Sequence, residues 1–93
     1  MNIVEMKQFG ATLTDREDGK KTFGMIAAKY TPPLALDFAG VVSLGSSFGD
    51  EVIPKIAAMQ GDEIELLNAN GVIRNSIKRI VDELPVRVVF DAV

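Results

Sequence analysis

Neither cysteine nor histidine occurs in the 93-residue sequence. Without cysteine there is no disulfide framework and no thiolate zinc site. Without histidine, the most common general base, the most common metal ligand and the usual physiological-pH switch are all missing. Any catalysis would fall to carboxylates, hydroxyls, lysine and arginine. No apolar run approaches the roughly 18 residues that a membrane-spanning helix needs. The N-terminal MNIVEMKQFG lacks the basic start and apolar block of a secretory signal. Net charge is −3 and the pI about 4.8, so the broad basic stripe of a nucleic-acid-binding domain is absent. These absences lead us to expect a cytoplasmic protein that engages neither nucleic acid nor membrane.

Hydrophobic residues make up 47% of the chain and charged residues 25%, the balance of a globular domain rather than a disordered segment. The length predicts one domain over residues 1–93, burying roughly 60–65% of its unfolded surface. Ile3, Val4 and Met6 suggest a first strand over residues 2–7, and Ala11–Leu13 a short strand pairing back on it. Thr14 and Glu17 have capping-box spacing before a helix whose apolar face is Phe23, Ile26, Ala27 and Tyr30. Gly19 weakens that helix, and Thr31-Pro32-Pro33 ends it. Leu34–Phe38 reads as a buried strand, with Val41–Gly45 either extending it or forming a loop. A second helix starts near Ser47, which has cap spacing to Asp50, and carries Phe48, Val52, Ile56 and Met59 on one face. Pro54 predicts a kink there or a helix in two pieces. After Gly61, Glu63–Leu67 is a strand, Val72–Leu84 a helix with Ile73, Ile77, Ile80, Val81 and Leu84 as its stripe, and Val86–Phe90 the last strand. Alternating strands and helices predict a small βαβαβαβ α/β sandwich, with a mostly parallel four- to five-stranded sheet and three main helices. The exposed first strand leaves a homodimer through that edge as an option.

Ligands of open α/β sheets gather where strands end. The residues expected there are Ser43, Ser46 and Ser47 after one strand and Asn68 and Asn70 after another. A serine pair at a helix start suits phosphate chemistry, because free backbone N–H groups and the helix dipole both favour an anion. The simpler reading makes Ser47 a helix cap. Asp50 and Glu51, within one turn, would repel a phosphate unless an arginine or lysine compensates. Asp37, Asp15, Asp50 and Glu51 could together offer hard oxygen ligands to Mg²⁺, but Asp37 in an apolar strand reads more simply as a structural carboxylate, so no metal site is assigned. Arg74, Lys78 and Arg79, next to Asp82 and Glu83, read as a solvated mixed face. GSSFG has neither the lysine nor the spacing of a P-loop. A serine nucleophile would lack its histidine.

The segment LDFAGVVSLGSSFGDEVIPKI resembles the signature of the STAS-like domain family of unknown function, through Asp37-Phe38, Gly40-Val41, Ser46-Ser47-Phe48 and Asp50-Glu51. Upstream, FGATLTDREDGKKTFGMI is similar to the start of that family, where an arginine (Arg16) and a following glycine open the first helix. The resemblance covers nearly the whole chain. It implies a STAS-like fold and, by analogy with bacterial anti-sigma factor antagonists, a non-enzymatic regulatory module. In those proteins an Asp-Ser-Ser-Gly turn opens a helix, and a GHKL-type kinase partner phosphorylates the second serine, breaking the complex. That serine falls on Ser47, with Ser46 beside it. Gly45 replaces the acidic residue and Phe48 the glycine. The implied phosphorylation candidates are Ser47 and Ser46. Phe48, in place of that glycine, is either the exposed apolar anchor of a partner interface, with Asp50, Glu51 and Arg16 as further partner-binding residues, or simply a core residue under the helix. Two alternatives remain open. One is a small-molecule or nucleotide sensor using Ser43, Asn68 and Asn70; the other is an accessory structural subunit of a larger assembly. No cofactor is expected.

Overall fold

Strand alternation decides which side of the sheet is covered. In the computed structural model, which describes residues 1–91, strands β1 (Asn2–Glu5), β3 (Leu34–Asp37), β5 (Glu63–Leu67) and β6 (Arg87–Phe90) form one sheet in the order β1-β3-β5-β6, parallel throughout. Helices α1 (Arg16–Lys29), α2 (Ser46–Ala58) and α3 (Gly71–Ile80) are the crossovers. Because the order advances in one direction, right-handed crossovers place all three helices on one face. Val4, Leu36, Ile64 and Leu66 point to that face and are fully buried. Their neighbours Ile3, Glu5, Asp37, Glu63 and Glu65 alternate to the opposite face and remain partly or largely exposed. The result is a two-layer α/β domain whose core lies between sheet and helices, with Phe38 and Phe48 its largest fully buried side chains.

The expected α/β alternation is present, and several local expectations are corrected. The short strand β2 (Thr12–Leu13) does not pair with β1. The 3₁₀ turn Met6–Phe9 carries the chain away, and β2 pairs in parallel with β4 (Ser43–Leu44) as a separate two-stranded sheet. Helix α1 is capped one residue later than expected. The Asp15 carboxylate accepts from the Asp18 amide at 3.0 Å, and Thr14 instead packs against Gly45. Ala27, expected on the buried face, is exposed; Gly19, Thr22 and Ile26 are the buried positions of α1. Helix α2 runs through Pro54 in one piece. The carbonyl left without a donor is that of Asp50, an exposed residue, where water can satisfy it. Helix α3 stops at Ile80 instead of Leu84. Asp82 and Glu83 oppose the helix dipole at that end, and Pro85 disfavours a helical Leu84, which lies 41% exposed.

Two features place the start of α2. Gly19 of α1 is buried against it: a Cβ there would lie 2.8 Å from the Phe48 carbonyl oxygen and 3.1 Å from the Phe48 Cα. On the other side, the absent side chain of Gly49 leaves the space that the Ile80 side chain of α3 fills. The first turn of α2 is thus gripped by both neighbouring helices. At the opposite end of the sheet, Gln60 substitutes for missing strand pairing. Its amide oxygen accepts from the Leu34 amide at 2.8 Å, and its nitrogen donates to the carbonyls of Glu63 (2.8 Å) and Leu34 (3.2 Å).

Candidate functional site at the start of the second helix

Helix α2 begins without a side-chain cap. Its N-cap is Gly45, which has no side chain to offer and whose own amide donates to the Leu13 carbonyl at 2.8 Å. The first bond closing the helix runs from the Gly49 amide to the Gly45 carbonyl at 2.9 Å, and the amides of Ser46, Ser47 and Phe48 take no acceptor among the described residues. Ser47 is therefore not the cap that its spacing to Asp50 suggests; it is the second residue of the helix, half-buried, after an exposed Ser46. A cavity of about 480 Å³ opens beside this turn, lined by Leu44, Gly45, Ser46 and Asp50 on one side and Ser76, Arg79 and Ile80 on the other.

The expected partner-binding residues do not form one exposed face. Phe48 is 1% exposed and belongs to the core. The helical period puts it on the same stripe as Val52 and Ile56, and the close approach of Gly19 seals it over. Arg16 and Glu51 are consumed by each other: Arg16 Nη1 lies 2.8 Å from Glu51 Oε2, and Lys55 Nζ 2.7 Å from Glu51 Oε1. The hydrogen bond from Lys55, then that from Arg16, holds the Glu51 carboxyl below the ordinary range. This triad staples α1 to α2 instead of presenting free charge. Of the four residues, Arg16 and Asp50 are exposed, and Asp50 lies at the rim of the cavity.

Asn68 and Asn70, expected at a ligand, hold backbone in place. Asn70 caps α3 by accepting from the Ile73 amide at 2.9 Å. Asn68 has a φ of 55°, in the left-handed region that asparagine tolerates. Its side chain donates to Asp37 Oδ1 at 2.9 Å, while its amide donates to Asp91 Oδ1 at 2.7 Å. Asp37 also accepts from the Ala39 amide at 2.9 Å, the structural role its strand position suggests. Ser43 is half-buried within β4. Asp15, Asp37, Asp50 and Glu51 do not converge, and among the described residues no three acidic side chains are grouped to hold a cation. The basic residues of α3 also part company. Arg74 bonds Asp91 at 2.6 Å and lies over the Phe90 ring at 4.8 Å, whereas Arg79, with no acidic partner among the described residues, lines the cavity. Arg79 and Ser76 are the residues that sequence reasoning missed at this site. Their only sequence signal is the helical period, which puts Ser76 on the buried stripe of Ile73, Ile77 and Ile80 and Arg79 beside it, without saying what they face.

Fold and site together define a two-layer α/β domain with an exposed serine turn beside a polar cavity. No protein-family model, curated protein or solved structure matches the chain. Among the described residues, no helix is long and apolar enough to cross a membrane.

Proposed function

We propose that this chain is a STAS-like regulatory module of the cytoplasm that docks on a protein partner of the GHKL-type ATPase or kinase class and catalyses no reaction itself. Modification of Ser46 or Ser47 switches the docking. The observation that carries this reading is the first turn of α2: two serines head a helix that lacks a side-chain cap, with three amides unpaired. A phosphate there meets the positive end of the dipole and adds about −1.5 to −2 charge to the surface that Asp50 borders. The docking surface comprises Ser46, Ser47 and Asp50, not Phe48. A second reading, a small-molecule sensor, is favoured by the 480 Å³ cavity, whose volume falls in the range of ligand pockets.

The test is a photo-crosslinking residue placed at Asp50, with a control at Arg87 on the opposite face of the sheet, in the cells of origin. The reading expects one discrete protein adduct from position 50, absent from position 87 and lost when Ser46 and Ser47 are both aspartate. Identical adducts from both positions would count against it.

A further inference from the structure

We infer that the uncovered face of the sheet is a docking surface for a basic amphipathic helix of a partner protein, with an arginine of that helix seated at Glu5 and Asp37. The inference goes beyond the reading above, because it concerns the face of the sheet turned away from the α2 serines.

Parallel sheets are ordinarily covered on both faces. Here the strand order sends α1, α2 and α3 to one face and leaves the other open. Part of the open face is apolar. Ile3, Ala35 and Val89 share one row across the sheet, interrupted by Glu65, and Leu67 lies in the next. Ile3 is 52% exposed, and the small Ala35 lies at the floor between Ile3 and Glu65. The strands also carry Glu5, Asp37, Glu63 and Glu65 on this face against a single cation, Arg87, which bonds Glu63 at 3.3 Å.

Glu5 and Asp37 are direct neighbours on adjacent strands, an arrangement in which like charges repel. Asp37 accepts from the Ala39 amide and the Asn68 side chain, both neutral. Among the described residues, neither Glu5, Asp37 nor Glu65 has an ion-pair partner. A cavity of about 440 Å³ opens at the Glu5–Asp37 pair, lined also by Ile3, Gln8 and Tyr30. Two carboxylates with an aromatic ring and an isoleucine suit a guanidinium on an apolar stem. Lys29 already stands over the Tyr30 ring, 5.6 Å from its centroid, without bonding either carboxylate.

Size and charge select the occupant. Four strands of four or five residues make a face of roughly 15 Å in each direction. One helix about 10 Å across fills it over about three turns. A second copy would bring the same excess of carboxylates to the contact, and nucleic acid or an anionic membrane would be repelled. A helix with an apolar stripe over Ala35 and arginines on its flanks is complementary.

The probe is a capped helical peptide of alanine, leucine and arginine, about 18 residues long so that it folds in water. Its leucines form one stripe flanked by the arginines, and a version with glutamate for arginine is the control. Isotope-labelled protein is titrated with each peptide by NMR at low and high salt, as wild type, Glu5→Gln, Glu65→Gln and Glu17→Gln, the last on α1 in the helical layer. Circular dichroism confirms the folds. The expected result is saturable binding of the arginine peptide, with amide shifts centred on β1, β3 and β5. Affinity should weaken about two- to fivefold in Glu5→Gln and in Glu65→Gln, as loss of an exposed ion pair implies, fall at high salt and stay unchanged in Glu17→Gln. The glutamate peptide should not bind. Absence of saturable binding, shifts centred on the helices, or affinity indifferent to both Glu5 and Glu65 would overturn the inference. So would concentration-dependent broadening of the β1 and β3 amides without peptide, which would give the face to a second copy. The α2 serines take no part in this titration, so its failure would leave a crosslink from position 50 standing, and loss of that crosslink would leave a positive titration standing. In cells, a helix docked here would crosslink from position 87 as a species distinct from the adduct at position 50.

Discussion

Gly19 and Gly24 lie five residues apart on one helix, and the structure predicts that replacing each with alanine will have opposite effects. In a helix interior, alanine is favoured over glycine by about 1 kcal/mol, largely through backbone entropy. At Gly24 a Cβ meets nothing within 4 Å. Gly24→Ala should therefore collect most of that gain, about 0.5–1 kcal/mol. At Gly19 the same Cβ would sit 2.8 Å from the Phe48 carbonyl oxygen and 3.1 Å from both the Phe48 Cα and the Glu51 Cβ. Two of these atoms are backbone and cannot rotate away, so α1 and α2 must move apart. Overpacking of this kind costs about 1–3 kcal/mol, which offsets the propensity gain of about 1 kcal/mol and leaves Gly19→Ala destabilised by up to about 2 kcal/mol. The two variants should then differ by about 2 kcal/mol, a separation of roughly 1 M in urea midpoint at ordinary slopes. Urea denaturation followed by circular dichroism measures this. Stabilisation by both substitutions would refute the close crossing, and with it the placement of Ser46 and Ser47 at the start of α2.

Phe48→Ala should cost about 3–5 kcal/mol, as expected for a core phenylalanine. Calorimetry should show a large loss of melting temperature, whereas a surface anchor would leave stability unchanged. Gln60→Ala orphans backbone groups at the ends of β3 and β5. It should cost about 1–3 kcal/mol, and amide exchange should speed up at Leu34 first. Glu51 gives a signed pH dependence. Its carboxyl is held below the ordinary value near 4.5, first by Lys55 and then by Arg16. A depressed carboxylate adds stability that is full above the ordinary value and is lost as pH falls through the depressed one. Urea midpoints of wild type should accordingly fall further than those of Glu51→Gln as pH drops below about 4.5. Parallel pH profiles would show that the staple contributes nothing.

What was legible in the sequence was periodic or local. Leu34–Asp37 stands out as an apolar strand between a proline pair and Gly40, and Ile73, Ile77 and Ile80 mark the buried stripe of α3. Asp37 is structural, as its strand position suggests. The misreadings concern pairings between residues distant in sequence. Strands of two residues, such as β2 and β4, have no period to detect, and their pairing joins Thr12 to Ser43. Arg16 and Glu51 are 35 residues apart, and nothing local in either helix shows that each neutralises the other. Phe48 illustrates a conflict between signals. Its spacing to Val52 and Ile56 indicates core, while its place in a serine turn suggested an exposed anchor; its burial follows the spacing. Gly19 looked only like a weakness of α1, because the benefit of a missing Cβ depends on the backbone of another helix.

The central claim is that the first turn of α2 is a modified, regulated surface. Phosphopeptide mapping of the protein purified from its native cells tests it most directly. The account predicts phosphate on Ser46 or Ser47. Complete coverage of the peptides spanning residues 43–55, with no phosphate found in growing or stressed cells, would contradict it.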